Sequence, residues 1–171
     1  MKKNVPFLFI AVITLILSGN TAYAESADSF LLDANVKMSA GNYTGATLDL
    51  TRCIELNPES FIAYDKRGLI KYISEDYQGA IADFSAAIKV NPKIAIIYTH
   101  RGYAKHELHD YNGAIADYTI AIELDPKLAE AYYNRGLARR KTGDKQGAIT
   151  DFTEAATLGD GNAQKWLDEH K

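Results

Sequence analysis

Three histidines lie close together in this chain of 171 residues: His100, His106 and His109, with Glu107 beside the second. Imidazole and carboxylate are ligands for zinc or copper, and helix residues three or four apart share a face. His106 and His109 stand at i, i+3, so a metal-binding protein or metal-dependent enzyme using His100, His106 and His109 is one reading. The string His106-Glu107-Leu108-His109 departs from HExxH, however, where the histidines are four apart on one helix. Neither zinc-ligand spacing nor a second shell of partners is visible, and surface histidines are the plainer reading. No glycine-rich phosphate loop, GxSxG or cysteine pair occurs, so no catalytic residue is assigned, no resident metal is assigned and no cofactor is implied.

Other charged residues recur at a fixed interval. Arg67, Arg101 and Arg135 are evenly spaced, and so are Asp49, Asp83, Asp117 and Asp151. Catalytic acids beside cations would not repeat along a chain, whereas structural ion pairs between helices would. Asp33 stands where the first arginine would be. The spacing allows pairing within a unit, and also of Asp49 with Arg67 of the next.

The elements that position these groups come from internal repetition. Segments starting at Ala27, Phe61, Ala95 and Ala129 align without gaps at a period of 34 residues. The fourth position reads Phe30, Tyr64, Tyr98, Tyr132, and the eighth reads Ala34, Gly68, Gly102, Gly136. The twentieth is alanine throughout, and the twenty-fourth reads Leu50, Phe84, Tyr118, Phe152. Cys53 takes a small-residue slot that Ala87, Ala121 and Ala155 fill in the other units, so it reads as buried and inert. Within each unit the apolar residues follow helical spacing twice, separated by turn signals such as Gly41-Asn42 and His109-Asp110. Asn57-Pro58, Asn91-Pro92 and Asp125-Pro126 separate the units, since proline ends one helix and suits the first turn of another.

Strings such as AYDKRGLIKYISEDYQGAIADFSAAIKVNP and IYTHRGYAKHELHDYNGAIADYTIAIELDP resemble tetratricopeptide repeats, over about residues 27–160. The resemblance implies an all-α fold: a right-handed α-solenoid of antiparallel helix pairs, with repeats at about 27–60, 61–94, 95–128 and 129–162. A capping helix is expected from about 163 to 171, with Asn162 as N-cap and Trp166 in the fourth-position slot of a would-be fifth unit. Phe or Tyr replaces the family's usual tryptophan at position four.

The resemblance further implies a concave face lined by the first helix of each unit. The positions that matter in the family fall here on Asn35, Asp65, Leu69, Tyr72, Thr99, Tyr103, His106, Tyr133, Leu137 and Arg140, among others. Tyr72, Tyr103 and Tyr133 stand out because the repeat itself gives them no core duty, and tyrosine is enriched where partners bind. Some family members grip a C-terminal carboxylate with lysines, asparagines and an arginine. Asn35 matches one such position, but Leu31, Lys66, Ile96 and His100 occupy the others, so the clamp is absent. An extended peptide or a helix laid in a tyrosine-lined groove fits better.

The chain opens with Met1-Lys2-Lys3, continues with an apolar run from Phe7 to Leu17, and reaches Ala22-Tyr23-Ala24 before Glu25. This is the order of a bacterial Sec signal peptide with cleavage after Ala24, and the run is shorter than the roughly 20 residues that span a bilayer. A periplasmic or secreted domain over 25–171 is expected, with no membrane attachment after cleavage. Cleavage removes two lysines and no acids, taking the formal charge from −3 to −5. That acidity argues against nucleic acid. The function expected is a non-enzymatic scaffold for a protein or peptide, with stacking of exposed solenoid ends into a homo-oligomer as a further possibility.

Overall fold

A computed structural model describes residues 26–170, so the export segment read at 1–24 lies outside the described residues. They form nine α-helices and no strand: α1 (Ala27–Ser39), α2 (Tyr43–Leu56), α3 (Phe61–Ile73), α4 (Tyr77–Val90), α5 (Ala95–Glu107), α6 (Tyr111–Leu124), α7 (Ala129–Thr142), α8 (Lys145–Thr157) and α9 (Gly161–Glu169). None of these is long and apolar enough to cross a membrane.

Capping chemistry starts each second helix. Asn42, Asp76, Asp110 and Asp144 accept the N–H of the glycine three residues on, at 3.0, 3.0, 3.0 and 2.9 Å. This satisfies a donor that the first turn otherwise leaves unpaired. The preceding residue turns left-handed in every unit, at φ 73° for Gly41, 62° for Glu75, 61° for His109 and 87° for Gly143. His109 is therefore a turn residue.

Each first helix packs on the second helix of its unit, and each second helix packs on the next first helix; α9 packs on α8. In addition α3 touches α5 and α5 touches α7. The first helices thus lie side by side on the inner face of the solenoid. Between paired helices, Leu50, Phe84, Tyr118 and Phe152 are fully buried. A Cβ on Gly68, Gly102 or Gly136 would stand 2.7, 2.5 or 2.8 Å from the ring of Phe84, Tyr118 or Phe152. The first unit pairs Ala34 with Leu50 instead, both fully buried; the narrower aliphatic chain leaves room for a methyl group.

The recurring charges form a two-way tie. Arg67 Nε and Nη2 donate to both oxygens of Asp83 at 2.9 and 2.8 Å, while its Nη1 donates to Thr51 Oγ1 of the preceding unit at 3.1 Å. Arg101 does the same with Asp117 and Ser85, and Arg135 with Asp151 and Thr119. The hydrogen bonds to Asp83 and Asp117 raise the pKa of Arg67 and Arg101 against the lowering effect of burial. Ion pairs therefore form within a unit and hydrogen bonds join neighbouring units.

Pairing of Asp49 with Arg67 does not occur: Asp49 Oδ2 takes Lys37 Nζ at 2.6 Å. Lys37 belongs to a series at position eleven that sequence reading overlooked. Lys71, Lys105 and Arg139 bring a second cation to Asp83, Asp117 and Asp151 at 2.8, 2.7 and 2.9 Å.

The last helix starts earlier than the sequence suggests. Asp160, not Asn162, is its N-cap and accepts the N–H of Ala163 at 2.8 Å. Asp160 sits in the slot where the other units carry proline, and its carboxylate supplies the helix start. Trp166 covers the end of the core, 4.3 Å from the Phe152 ring centroid and stacked on His170 at 4.4 Å.

Candidate partner-binding groove

The inner face holds a cavity of ≈ 480 Å³ that spans several units. Tyr72 enters it from α3, and Tyr103, His106 and Glu107 from α5. Glu130, Tyr133, Asn134 and Leu137 come from α7, Tyr118 of α6 forms the floor, and Asp160 and Asn162 border it before and within α9. Side chains distant in the chain converge because each first helix repeats the same face one unit further on.

Five of the ten groove residues expected from the sequence line this cavity: Tyr72, Tyr103, His106, Tyr133 and Leu137. Arg140 lines a smaller neighbouring cavity of ≈ 240 Å³ with His106, Leu137 and Lys141. Asn35 and Leu69 are half-buried outside both cavities. Thr99 is completely buried and lines neither cavity. Asp65 is engaged with His100, whose Nδ1 lies 2.8 Å from its Oδ1.

The three tyrosines do carry core duty, contrary to the sequence reading. Tyr72 packs 5.5 Å from Tyr77, Tyr103 5.9 Å from Tyr118, and Tyr133 5.6 Å from Phe152 between ring centroids. Tyr72 and Tyr103 also meet across the unit boundary at 6.4 Å. Each buries part of its ring on a second-helix aromatic residue or a neighbouring tyrosine and shows the rest to the cavity.

Glu107 and Glu130, which also fall on the family's groove positions, line the wall too, and Tyr118, Asn134, Asp160 and Asn162 complete it from positions the resemblance does not assign to the groove. Tyr118 holds a core position of the repeat, Asp160 falls at the end of the fourth unit, and Asn162 is the N-cap expected for the last helix. Burial, and then the nearby Glu130 carboxylate, push the Tyr103 hydroxyl far above its usual pKa, so it stays protonated. Asn134 Nδ2 donates to Tyr103 Oη at 3.3 Å and to the carbonyl of Glu130 at 2.8 Å. Burial also raises the Tyr118 hydroxyl, which has no hydrogen-bond partner. Desolvation lowers His106, leaving the imidazole neutral at pH 7, and its buried Nε2 is likewise without a partner.

The histidines do not converge. His100 faces Asp65, His106 packs its ring 5.1 Å from Tyr111, and His109 Nδ1 meets the Tyr111 hydroxyl at 2.9 Å. Among the described residues no group of three or more His, Cys, Asp or Glu side chains is placed to hold a metal ion. Cys53 is 1% exposed and directs its thiol to Ser60 Oγ at 3.8 Å.

Fold and groove together define an α-solenoid repeat protein with a side-chain-lined inner face. The sequence comparisons agree. A "TPR repeat" family model matches residues 102–143, and a "Tetratricopeptide repeat" model matches 129–162. A crystal structure of MamA is similar with TM-score 0.75 and 24% identity, over 90% of this chain and 86% of that one. The Arabidopsis OM64 TPR domain is 30% identical with TM-score 0.61, over 66% of this chain and 98% of that one. The first TPR of Spaghetti (RPAP3), bound to the HSP90 peptide SRMEEVD, is 21% identical with TM-score 0.68, over 69% and 94%. No curated protein matches by sequence. The chain belongs to the tetratricopeptide repeat family.

Proposed function

We propose that this protein is an exported, non-catalytic scaffold that holds a segment of a partner protein on the inner face of its solenoid. The observation that carries this is the ≈ 480 Å³ cavity, walled by three first helices and open on that face. Its tyrosines combine apolar area with polar tips, the composition that anchors partner residues at interfaces. The peptide held by the structurally similar RPAP3 repeats supports the same use of the fold. Export is supported by the order of charge, apolar run and small-x-small site in the first 24 residues.

Photo-cross-linking in cells tests the reading. A cross-linking residue placed at Tyr72 or Leu137 of the inner face captures one discrete protein, whereas one at the exposed outer residues Lys89 or Glu123 does not. Equal capture from both faces, or capture only from the outside, would sink the groove. Recovery from the envelope of a chain beginning at Glu25 checks export, and retention of the intact chain in the cytoplasm overturns it.

A further inference from the structure

The walls of the large cavity share one electrostatic character. Glu107 and Glu130 bring carboxylates to it, and Asp160 borders it. No lysine or arginine lines it, and among the described residues none lies within ion-pair distance of these three acids. The one basic side chain within ion-pair distance of Glu107 among the described residues is His106, Nδ1 to Oε1 at 3.9 Å. Below them sits the Tyr118 hydroxyl. That residue is fully buried, its oxygen has no hydrogen-bond partner, and it lies within electrostatic reach of Tyr72, Glu107 and Glu130 on the same wall. A buried hydroxyl left unpaired is costly, and a ligand that satisfies it removes the cost.

We propose that this cavity receives an arginine side chain of the bound segment. The proposal rests on the scaffold reading above and names the chemistry that the groove selects. A guanidinium offers five N–H donors in one plane and can meet several acceptors at once. Here the acceptors are the carboxylates of Glu107 and Glu130 and the oxygen of Tyr118. The faces of Tyr72, Tyr103 and Tyr133 suit a flat cation, which stacks on an aromatic ring and is attracted by its quadrupole. A carboxylate guest would face the like charge of Glu107 and Glu130, so an acidic side chain is disfavoured here. An ammonium would gain the charge term with fewer donors and no stacking plane, so lysine ranks second.

The test titrates the full-length chain with four fluorescent heptapeptides that differ only in a central arginine, lysine, citrulline or glutamate. Citrulline keeps the shape of arginine without its charge. The arginine peptide is expected to bind roughly tenfold more tightly than the citrulline peptide, with glutamate weakest. A Glu107→Gln/Glu130→Gln variant of unchanged thermal midpoint should erase that preference, because both carboxylates are exposed and removing their charge leaves the core alone. Equal affinity for arginine and citrulline, no binding by any peptide, or a preference that survives the double variant would overturn the arginine site. If inner-face cross-links still form in those cases, the scaffold reading stands and only the arginine assignment fails.

Discussion

The ring of Tyr118 occupies the space that a side chain at Gly102 would need: a Cβ there would lie 2.5 Å from Tyr118 Cε1. The contact is backbone against aromatic ring, and it lets α5 and α6 approach closely enough to hold the cavity floor in place.

Gly102→Ala sets two effects against each other. Alanine favours helix by about 1 kcal/mol over glycine. Overpacking a rigid, fully buried ring costs about 1–3 kcal/mol. The clash should win, so urea denaturation should show a net loss of stability. Ala34→Gly in the first unit, opposite Leu50, should also destabilise, there through lost helix propensity and a small void. A stabilised Gly102→Ala protein would refute the close packing.

The two-cation arrangement predicts a graded response along the solenoid. Asp117 has a side chain 3% exposed and is the shared ion-pair partner of Arg101 and Lys105. Asp117→Asn leaves those cations without their anion and should cost about 3–5 kcal/mol, the range for breaking a buried pair from one side. Lys37→Met removes the single cation from Asp49, where the pair is more open at 39% and 12% side-chain exposure. Its cost should be at most about 1 kcal/mol once solvent screening is allowed for. Chemical denaturation of the two variants side by side checks the order.

His106 gives the protein an acid-sensitive step. Burial lowers its pKa below the ordinary 6.5, Glu107 opposes the shift, and Lys141 and His109 add to it. As pH falls through 6.5 the unfolded chain takes up this proton before the folded one, so folding stability declines; above 6.5 the group contributes no slope. His106→Gln should flatten this part of the profile. Comparing urea midpoints of both proteins at about pH 7.5 and about pH 5.5 measures the difference, and parallel profiles would show that His106 plays no part.

Trp166 is the sole tryptophan in the chain, so its fluorescence reports on the cap alone. Repeat units touch only their neighbours, and terminal elements lose contacts on one side. The fluorescence transition should therefore come at or below the denaturant midpoint seen by circular dichroism. Trp166→Ala should cost about 3 kcal/mol by opening the packing against Phe152 and should raise amide exchange first in α8 and α9.

How the chain encodes all this divides along a physical line. Its sequence alone determines the helix pairs, their 34-residue register and the pairing of position eight with position twenty-four. Those features are local: capping, turn geometry and packing within a unit depend on residues less than one repeat apart, and four copies make the pattern plain. The Arg–Asp spacing was legible for the same reason. Which partner each charge takes was not, because Lys37 reaches Asp49 and Arg67 reaches Thr51 by side-chain length and helix placement. The cavity depends still more on the tertiary structure. Tyr72, Glu107, Tyr118, Glu130 and Asp160 lie on four helices and a cap, and only the rise and turn from one unit to the next bring them to one wall. A repeat pattern gives every unit the same faces; the superhelix decides which individual side chains meet across them.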